Sequence, residues 1–210
     1  DRGNATTSLG INKRNLEHTI YDALMGAALV TSLIMSSGRP QLDLIPADQN
    51  LAGAMVQLVS LEQRERRLSV ALQEIASSYD TIIIDCPPSL GLLTINALCA
   101  ASHVLIPLQC EYLALEGLAQ LKGTIDRVRE RLNRRLTILG VVMTMYDGRT
   151  NLAQQVVQEV RRYFPNQICN TLIPRNVRAS EAPSYGKLLS EYAPGSSAAQ
   201  AYNALSAELL

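Results

Sequence analysis

The segment Tyr79-Asp80-Thr81-Ile82-Ile83-Ile84-Asp85-Cys86-Pro87-Pro88-Ser89 sets an apolar run, a carboxylate and a doubled proline in an order suited to magnesium and phosphate chemistry. Three consecutive isoleucines without polar alternation predict a strand covered on both faces, as in a parallel sheet. Asp85 then stands at the strand's carboxyl end, where open α/β sheets bind ligands. From there a carboxylate can reach Mg²⁺ or its waters while its backbone stays anchored. Pro87 and Pro88 stop the strand, since neither offers a ladder donor. Ser89, Gly91 and a helix-like stretch from Leu92 to Ala101 follow, the pattern of a strand, a switch loop and a helix. The plain alternative is an apolar strand that ends in Asp and a rigid turn.

A second group of residues suits anion binding. The chain has 19 Lys and Arg against 19 Asp and Glu, so composition alone argues against a general nucleic-acid binder. The distribution differs: from Arg127 to Lys187 eleven basic residues face four acidic ones. A dipolar chain can present one face to an anionic polymer without being basic as a whole. Solvated helix faces are the alternative, and for Arg129 to Arg135 the better one. Arg149 follows Tyr146-Asp147-Gly148, a turn sequence leading into a helix, so its guanidinium should be exposed; alternatively it caps that turn. Arg178 stands three residues before Glu181 and could pair with it. His18 and His103 have no partner pattern. Cys86, Cys99, Cys110 and Cys169 are scattered without metal-ligand spacing and read as reduced thiols of a cytosolic protein.

The elements that would position these residues alternate. Helices are predicted over 16–25, 51–59, 62–76, 116–132, 151–163 and 198–209, and strands over 41–45, 81–84, 104–108, 136–144 and 168–173. In 151–163 the apolar residues Leu152, Val156, Val157 and Val160 recur at helical spacing, with Phe164 just beyond. Such alternation predicts an α/β fold, a mostly parallel sheet with helices on both faces, in a single domain over 1–210. No apolar run approaches the ~18 residues that span a bilayer.

Several blocks together resemble the ParA/Soj family of deviant-Walker partition ATPases, within the MinD/ParA superfamily of P-loop NTPases. They are Asn4-Ala5-Thr6-Thr7-Ser8-Leu9-Gly10, Ile84 to Gly91, Gln109-Cys110-Glu111-Tyr112-Leu113-Ala114-Leu115-Glu116-Gly117, Thr144 to Thr150, Ile173 to Arg178, and Ser180 to Lys187. The resemblance implies ATP and Mg²⁺ as cofactors, with Asp85 the magnesium-linked, nucleotide-facing carboxylate and Cys86, Pro87, Pro88 and Ser89 the switch that senses the γ-phosphate. It further implies a base pocket at Pro174, Arg175 and Asn176, and DNA-phosphate contacts by Arg149, Arg178 and, as a third candidate, Lys187. The partners implied are non-specific DNA, a ParB-type centromere-binding protein and a second copy of the chain in an ATP-bound homodimer. A cytoplasmic, nucleoid-associated location goes with them.

The pattern departs from the family at its start. Relatives of this kind begin with a strand, a Lys-Gly-Gly-Val-Gly-Lys-Thr loop, a helix and a second strand ending in Asp-Pro-Gln-Gly-Asn. Here the sequence opens at Asp1-Arg2-Gly3-Asn4 and holds no Gly-Lys-Ser/Thr. Asp1 would be the remnant of the catalytic carboxylate, one residue short of the pattern. An incomplete amino terminus is therefore expected, and with it little ATP binding or turnover by these 210 residues, because the loop's N–H groups and lysines cradle the phosphates. Two functions of different class follow: a partition ATPase or a fragment of one, and a non-catalytic ParA-like binding module. A membrane-cycling relative would need a basic amphipathic carboxyl-terminal helix, and Ala201 to Leu210 contains no Lys or Arg.

Overall fold

Residues 4–210 are described in a computed structural model; Asp1 lies outside them. They group into two compact units, one running to Ala101 and including Pro183–Lys187, the other formed by Ser102–Ala182 and Leu188–Leu210.

The first unit contains α1 (Asn4–Ser8), α2 (Ile20–Met25), an antiparallel hairpin of β1 (Met35–Arg39) and β2 (Leu42–Leu44), α3 (Asn50–Leu58), α4 (Arg67–Leu72) and α5 (Leu92–Ala100). The predicted helix over 16–25 begins only at Ile20 because Thr19 caps it. The Thr19 hydroxyl accepts from the Tyr21 N–H, and the Asp22 carboxylate accepts from the Thr19 N–H at 2.7 Å, a reciprocal capping box. Leu24, Ala54, Leu58, Leu68, Leu93 and Ala97 form the core between these helices. Asn96 sits inside it at 1% exposure. Its side chain accepts from the Leu68 N–H at 3.1 Å and donates to the Arg64 and Leu92 carbonyls at 2.7 and 3.0 Å. In a continuous helix Leu68 would donate to Arg64. Asn96 takes both groups, and the helix predicted over 62–76 is confined to Arg67–Leu72.

The strand predicted over Thr81–Ile84 is the main departure. The segment is extended but joins no ladder, and Ile83 is 89% exposed while Ile84 packs on the Leu24–Leu58 core. β propensity specifies a strand only where a neighbouring strand supplies hydrogen bonds, and among the described residues none pairs with this segment.

The second unit is built on a parallel βαβ crossover: β3 (His103–Gln109), α6 (Ala114–Arg131) and β4 (Thr137–Thr144), followed by α7 (Asn151–Tyr163), α8 (Val177–Glu181), α9 (Leu189–Tyr192) and α10 (Ser197–Leu209). β4 is paired on both edges. β3 runs along one, from His103 opposite Thr137 to Gln109 opposite Thr144. Along the other, the stretch predicted as a strand over 168–173 forms bridges at Ile168 and Pro174, with Cys169 and Ile173 donating to Val141 and Met143. Accordingly Gly140 to Met143 are buried without a break, whereas β3, laddered on one edge, alternates and tolerates Pro107. Gly140 permits the close approach of the third segment, since a Cβ there would lie 2.8 Å from the Cys169 sulfur. α7 follows its predicted span and buries Ala153, Val156, Val157 and Val160, starting at Thr150, whose hydroxyl accepts from the Ala153 N–H. Val142, Cys169, Ile173 and Leu205 form a further cluster with α10. Among the described residues no helix is long and apolar enough to cross a membrane.

Replacing Asn96 with Leu keeps the volume but leaves the buried Leu68 N–H and the Arg64 carbonyl without this partner. The expected cost is about 1–3 kcal/mol, seen as a lower urea midpoint at an unchanged slope. An unaltered midpoint would remove Asn96 from the stability of this unit.

Candidate functional site

Three loops leave the carboxyl ends of adjacent strands in the second unit. After β3, Cys110 donates to the Thr144 carbonyl and carries the chain to Glu111. After β4, Met145 takes a left-handed φ of 54°, costing roughly 1–2 kcal/mol for a residue with a side chain, and turns the chain out of the strand. Tyr146 then donates to the Ile173 carbonyl, and Arg175 donates to that of Tyr146, so the 146–149 and 174–178 loops lie side by side. This is the end of a parallel sheet at which ligand sites are found.

Asp147 organises the middle loop. Its carboxylate accepts from the Arg149 N–H at 3.1 Å, and its carbonyl accepts from the Thr150 N–H and hydroxyl at 3.1 and 2.9 Å, leading directly into α7. The same carboxylate takes the Arg149 guanidinium in a two-bond fork, Nε at 2.9 Å and Nη2 at 2.7 Å. The exposed reading of Arg149 is realised, its side chain being 89% exposed, while the turn itself is capped by the Asp147 carboxylate. Hydrogen bonds from the Arg149 side chain and N–H, with the charges of Arg149 and Arg175, hold the Asp147 carboxyl down to about 2.

Arg178 is arranged alike. It lies in the first turn of α8, 60% exposed, and donates to Glu181 at 2.9 Å, the pairing weighed as an alternative from the sequence. Tyr192 donates to the same Glu181 oxygen at 3.1 Å. Pro174 bridges to Tyr146, and Arg175 pairs with Glu111 at 3.6 Å. Asn176 is committed to structure: it caps α8 by accepting from the Arg178 N–H and donates to the Ser197 hydroxyl at 3.1 Å. An Asn opening a helix is an N-cap signature, so that role was readable beforehand. The pairing of Glu111 with Arg175 was not, being set by strand register.

Lys187 and the switch residues belong to the first unit. Lys187 is exposed next to Gly186, whose φ of 61° and close approach to Gly10 exclude a side chain; a Cβ there would meet the Gly10 Cα at 2.8 Å. Arg39 bridges the two glycine turns, donating to the Leu9 and Gly186 carbonyls at 3.2 and 3.1 Å. Asp85 and Cys86 are exposed at the end of the isoleucine segment. Desolvation and then the Asp85 charge push the Cys86 thiol up, which keeps it protonated and poor as a nucleophile at neutral pH. Ser89 donates back to the Pro87 carbonyl, and Thr94 donates to that of Ser89, tying the loop to α5.

Comparison with known proteins accords with this arrangement. A family profile described as an AAA domain matches residues 1–138. The sporulation initiation inhibitor protein Soj of Bacillus subtilis is 52% identical over 208 residues, covering 99% of this chain and 82% of that protein. The chromosome partitioning protein ParA of Myxococcus xanthus is 51% identical over 209 residues, covering 100% and 74%. The chain belongs to the ParA/Soj chromosome-partitioning family. Among solved structures, an ATP complex of a Cyanothece McdA variant superposes with a TM-score of 0.86 over 99% of this chain and 81% of that one, at 21% identity, a likeness of fold. Cobyrinic acid a,c-diamide synthase from Mycobacterium smegmatis, with a bound ATP analogue and magnesium, gives 0.75 at 35% identity, covering 86% and 75%. The P-loop NTPase-like α/β fold expected from the sequence is thus shared with these neighbours.

Exposed Asp85 suits a hydrated magnesium ion, and among the described residues no group of three His, Cys, Asp or Glu side chains comes together to bind a metal directly. The sequence contains no Gly-Lys-Ser/Thr loop, so the residues present do not supply a triphosphate cradle.

The Asp147–Arg149 fork has a measurable signature. In NMR titration the Asp147 carboxyl should titrate near pH 2, and Arg149→Ala should return it toward its ordinary 3.8. A carboxyl depressed on folding stabilises above its unfolded pKa and loses that contribution as pH falls through its folded one. The pair therefore persists at neutral pH and fades between about 4 and 2. An Asp147 value unmoved by Arg149→Ala would assign the depression to the backbone turn.

Proposed function

We propose that the chain acts as a ParA-type partition ATPase, which as an ATP-dependent homodimer binds nucleoid DNA without sequence preference and, with a ParB-type centromere-binding partner, segregates chromosomal or plasmid DNA. The observation that carries this reading is the exposure of Arg149, on the loop after β4, and of Arg178, in the first turn of α8 just beyond the segment that pairs with β4. Arginine at such positions recognises phosphate by charge and fork geometry rather than by base edges. A few contacts per subunit give weak, salt-sensitive affinity, and pairing two subunits multiplies it, which makes binding responsive to nucleotide. Asp85 serves as the magnesium-linked carboxylate and Cys86–Ser89 as the switch, its prolines limiting the loop to few conformations among which phosphate contact selects.

With the full-length polypeptide, ATP and Mg²⁺, the Arg149→Ala, Arg178→Ala double variant should lose DNA binding and keep nucleotide binding. Full DNA affinity at moderate salt in that variant would refute the site. Asp85→Ala should slow Mg²⁺-dependent hydrolysis about tenfold or more, and an unchanged rate would remove Asp85 from the mechanism.

A further inference from the structure

Both arginines of the proposed DNA surface are already occupied by carboxylates of their own chain. Asp147 holds the Nε–Nη2 edge of Arg149 through two bonds, and Glu181 holds Nη1 of Arg178. Each carboxylate is itself held in place, Asp147 by the N–H and carbonyl bonds of its turn, Glu181 by the Tyr192 hydroxyl. A phosphate docks on a guanidinium through the same two-pronged geometry that a carboxylate uses.

We infer that Asp147 and Glu181 are positioning residues that compete with phosphate for Arg149 and Arg178, and so set a deliberately low DNA affinity per subunit. The inference rests on the DNA-binding reading above. Each pair is close to neutral, so an approaching phosphate meets a guanidinium whose charge is largely compensated and whose fork is partly filled. It must either accept the remaining N–H groups beside a repelling carboxylate or displace that carboxylate. Displacement is feasible because both pairs are exposed, and exposed pairs are held weakly. A single subunit then stays off the polymer, and only two subunits acting together displace enough carboxylates to remain bound.

The test is a salt series of DNA-binding measurements on the full-length polypeptide with ATP and Mg²⁺, comparing the unaltered protein with Asp147→Asn, Glu181→Gln, their combination, and Arg149→Ala with Arg178→Ala. Asn retains an oxygen that can accept from the Arg149 N–H and Gln one that can accept from Tyr192, so each change removes charge and spares the local fold. Glu159→Gln, which breaks a looser 3.9 Å pair with Arg162, reports the generic effect of removing one acid.

Each single carboxylate variant should bind DNA on the order of two- to fivefold more tightly. Its salt dependence should steepen by about one further counterion per arginine released. Unchanged or weaker binding in Asp147→Asn and Glu181→Gln, or a gain no larger than that of Glu159→Gln, overturns the inference while loss of binding in the arginine variants keeps the DNA site. Full binding by the arginine variants overturns the site itself, whatever the carboxylate variants do.

Discussion

The ladder that β4 forms along both of its edges is the constraint on which the second unit depends. With β3 on one side and the Ile168–Pro174 segment on the other, both parallel to it, three chain segments are compelled to exit at the same end. Glu111, Asp147 and Arg175 are brought near one another by backbone register, and Arg149 joins them through the local turn at Asp147. The burial of Gly140 to Met143 follows from the same constraint, since a strand paired on both edges and covered on both faces has no wet side. Gly140 meets its steric demand directly, leaving room for the Cys169 sulfur where any side chain would hold the third segment off.

The first unit shows what happens where such pairing is missing. Ile82 to Ile84 has the composition of a central strand, yet it stays extended without a ladder, and Ile83 faces water. Cohesion there comes from helices, and from one polar side chain in particular. Asn96 supplies an acceptor to Leu68 and donors to Arg64 and Leu92 from within an apolar core. Buried amide groups of this kind are tolerated only when their hydrogen bonds are made, and here they also decide where α4 starts.

How much of this could be read from the sequence depended on how local each determinant is. The apolar spacing of Leu152, Val156, Val157 and Val160 specifies α7 over the span observed, because period and face are set within one helix. Arg178 and Glu181, three apart, were recognisable as a pair for the same reason. The truncation of the 62–76 helix was not legible, since the side chain that interrupts it lies far along the chain, on a different helix. Nor was the left-handed turn at Met145, a residue type that carries no signal for positive φ. The proximity of Glu111 to Arg175 required knowledge of which strands are neighbours, and alternation of elements indicates a parallel sheet without giving its order.

The charge pattern carries the remaining step. A formally neutral chain gathers eleven basic residues between Arg127 and Lys187, but proximity in sequence overstates how much positive charge a polymer would meet. Arg129 is tied to Asp126, Arg149 to Asp147, Arg175 to Glu111 and Arg178 to Glu181. Two of these acids, Asp126 and Glu111, lie outside the basic segment, so the fold lowers its effective charge further than counting within it would indicate. A surface built this way can respond to anions in steps, each arginine exchanging one acceptor for another at little net change in hydrogen bonding. In any such exchange with a polyanion the change would be in charge, a released carboxylate regaining its solvation and the polyanion shedding a counterion, a balance governed by ionic strength. That balance belongs to local geometry, a turn for Arg149 and the helix α8 for Arg178, in which each arginine reaches a carboxylate of its own chain.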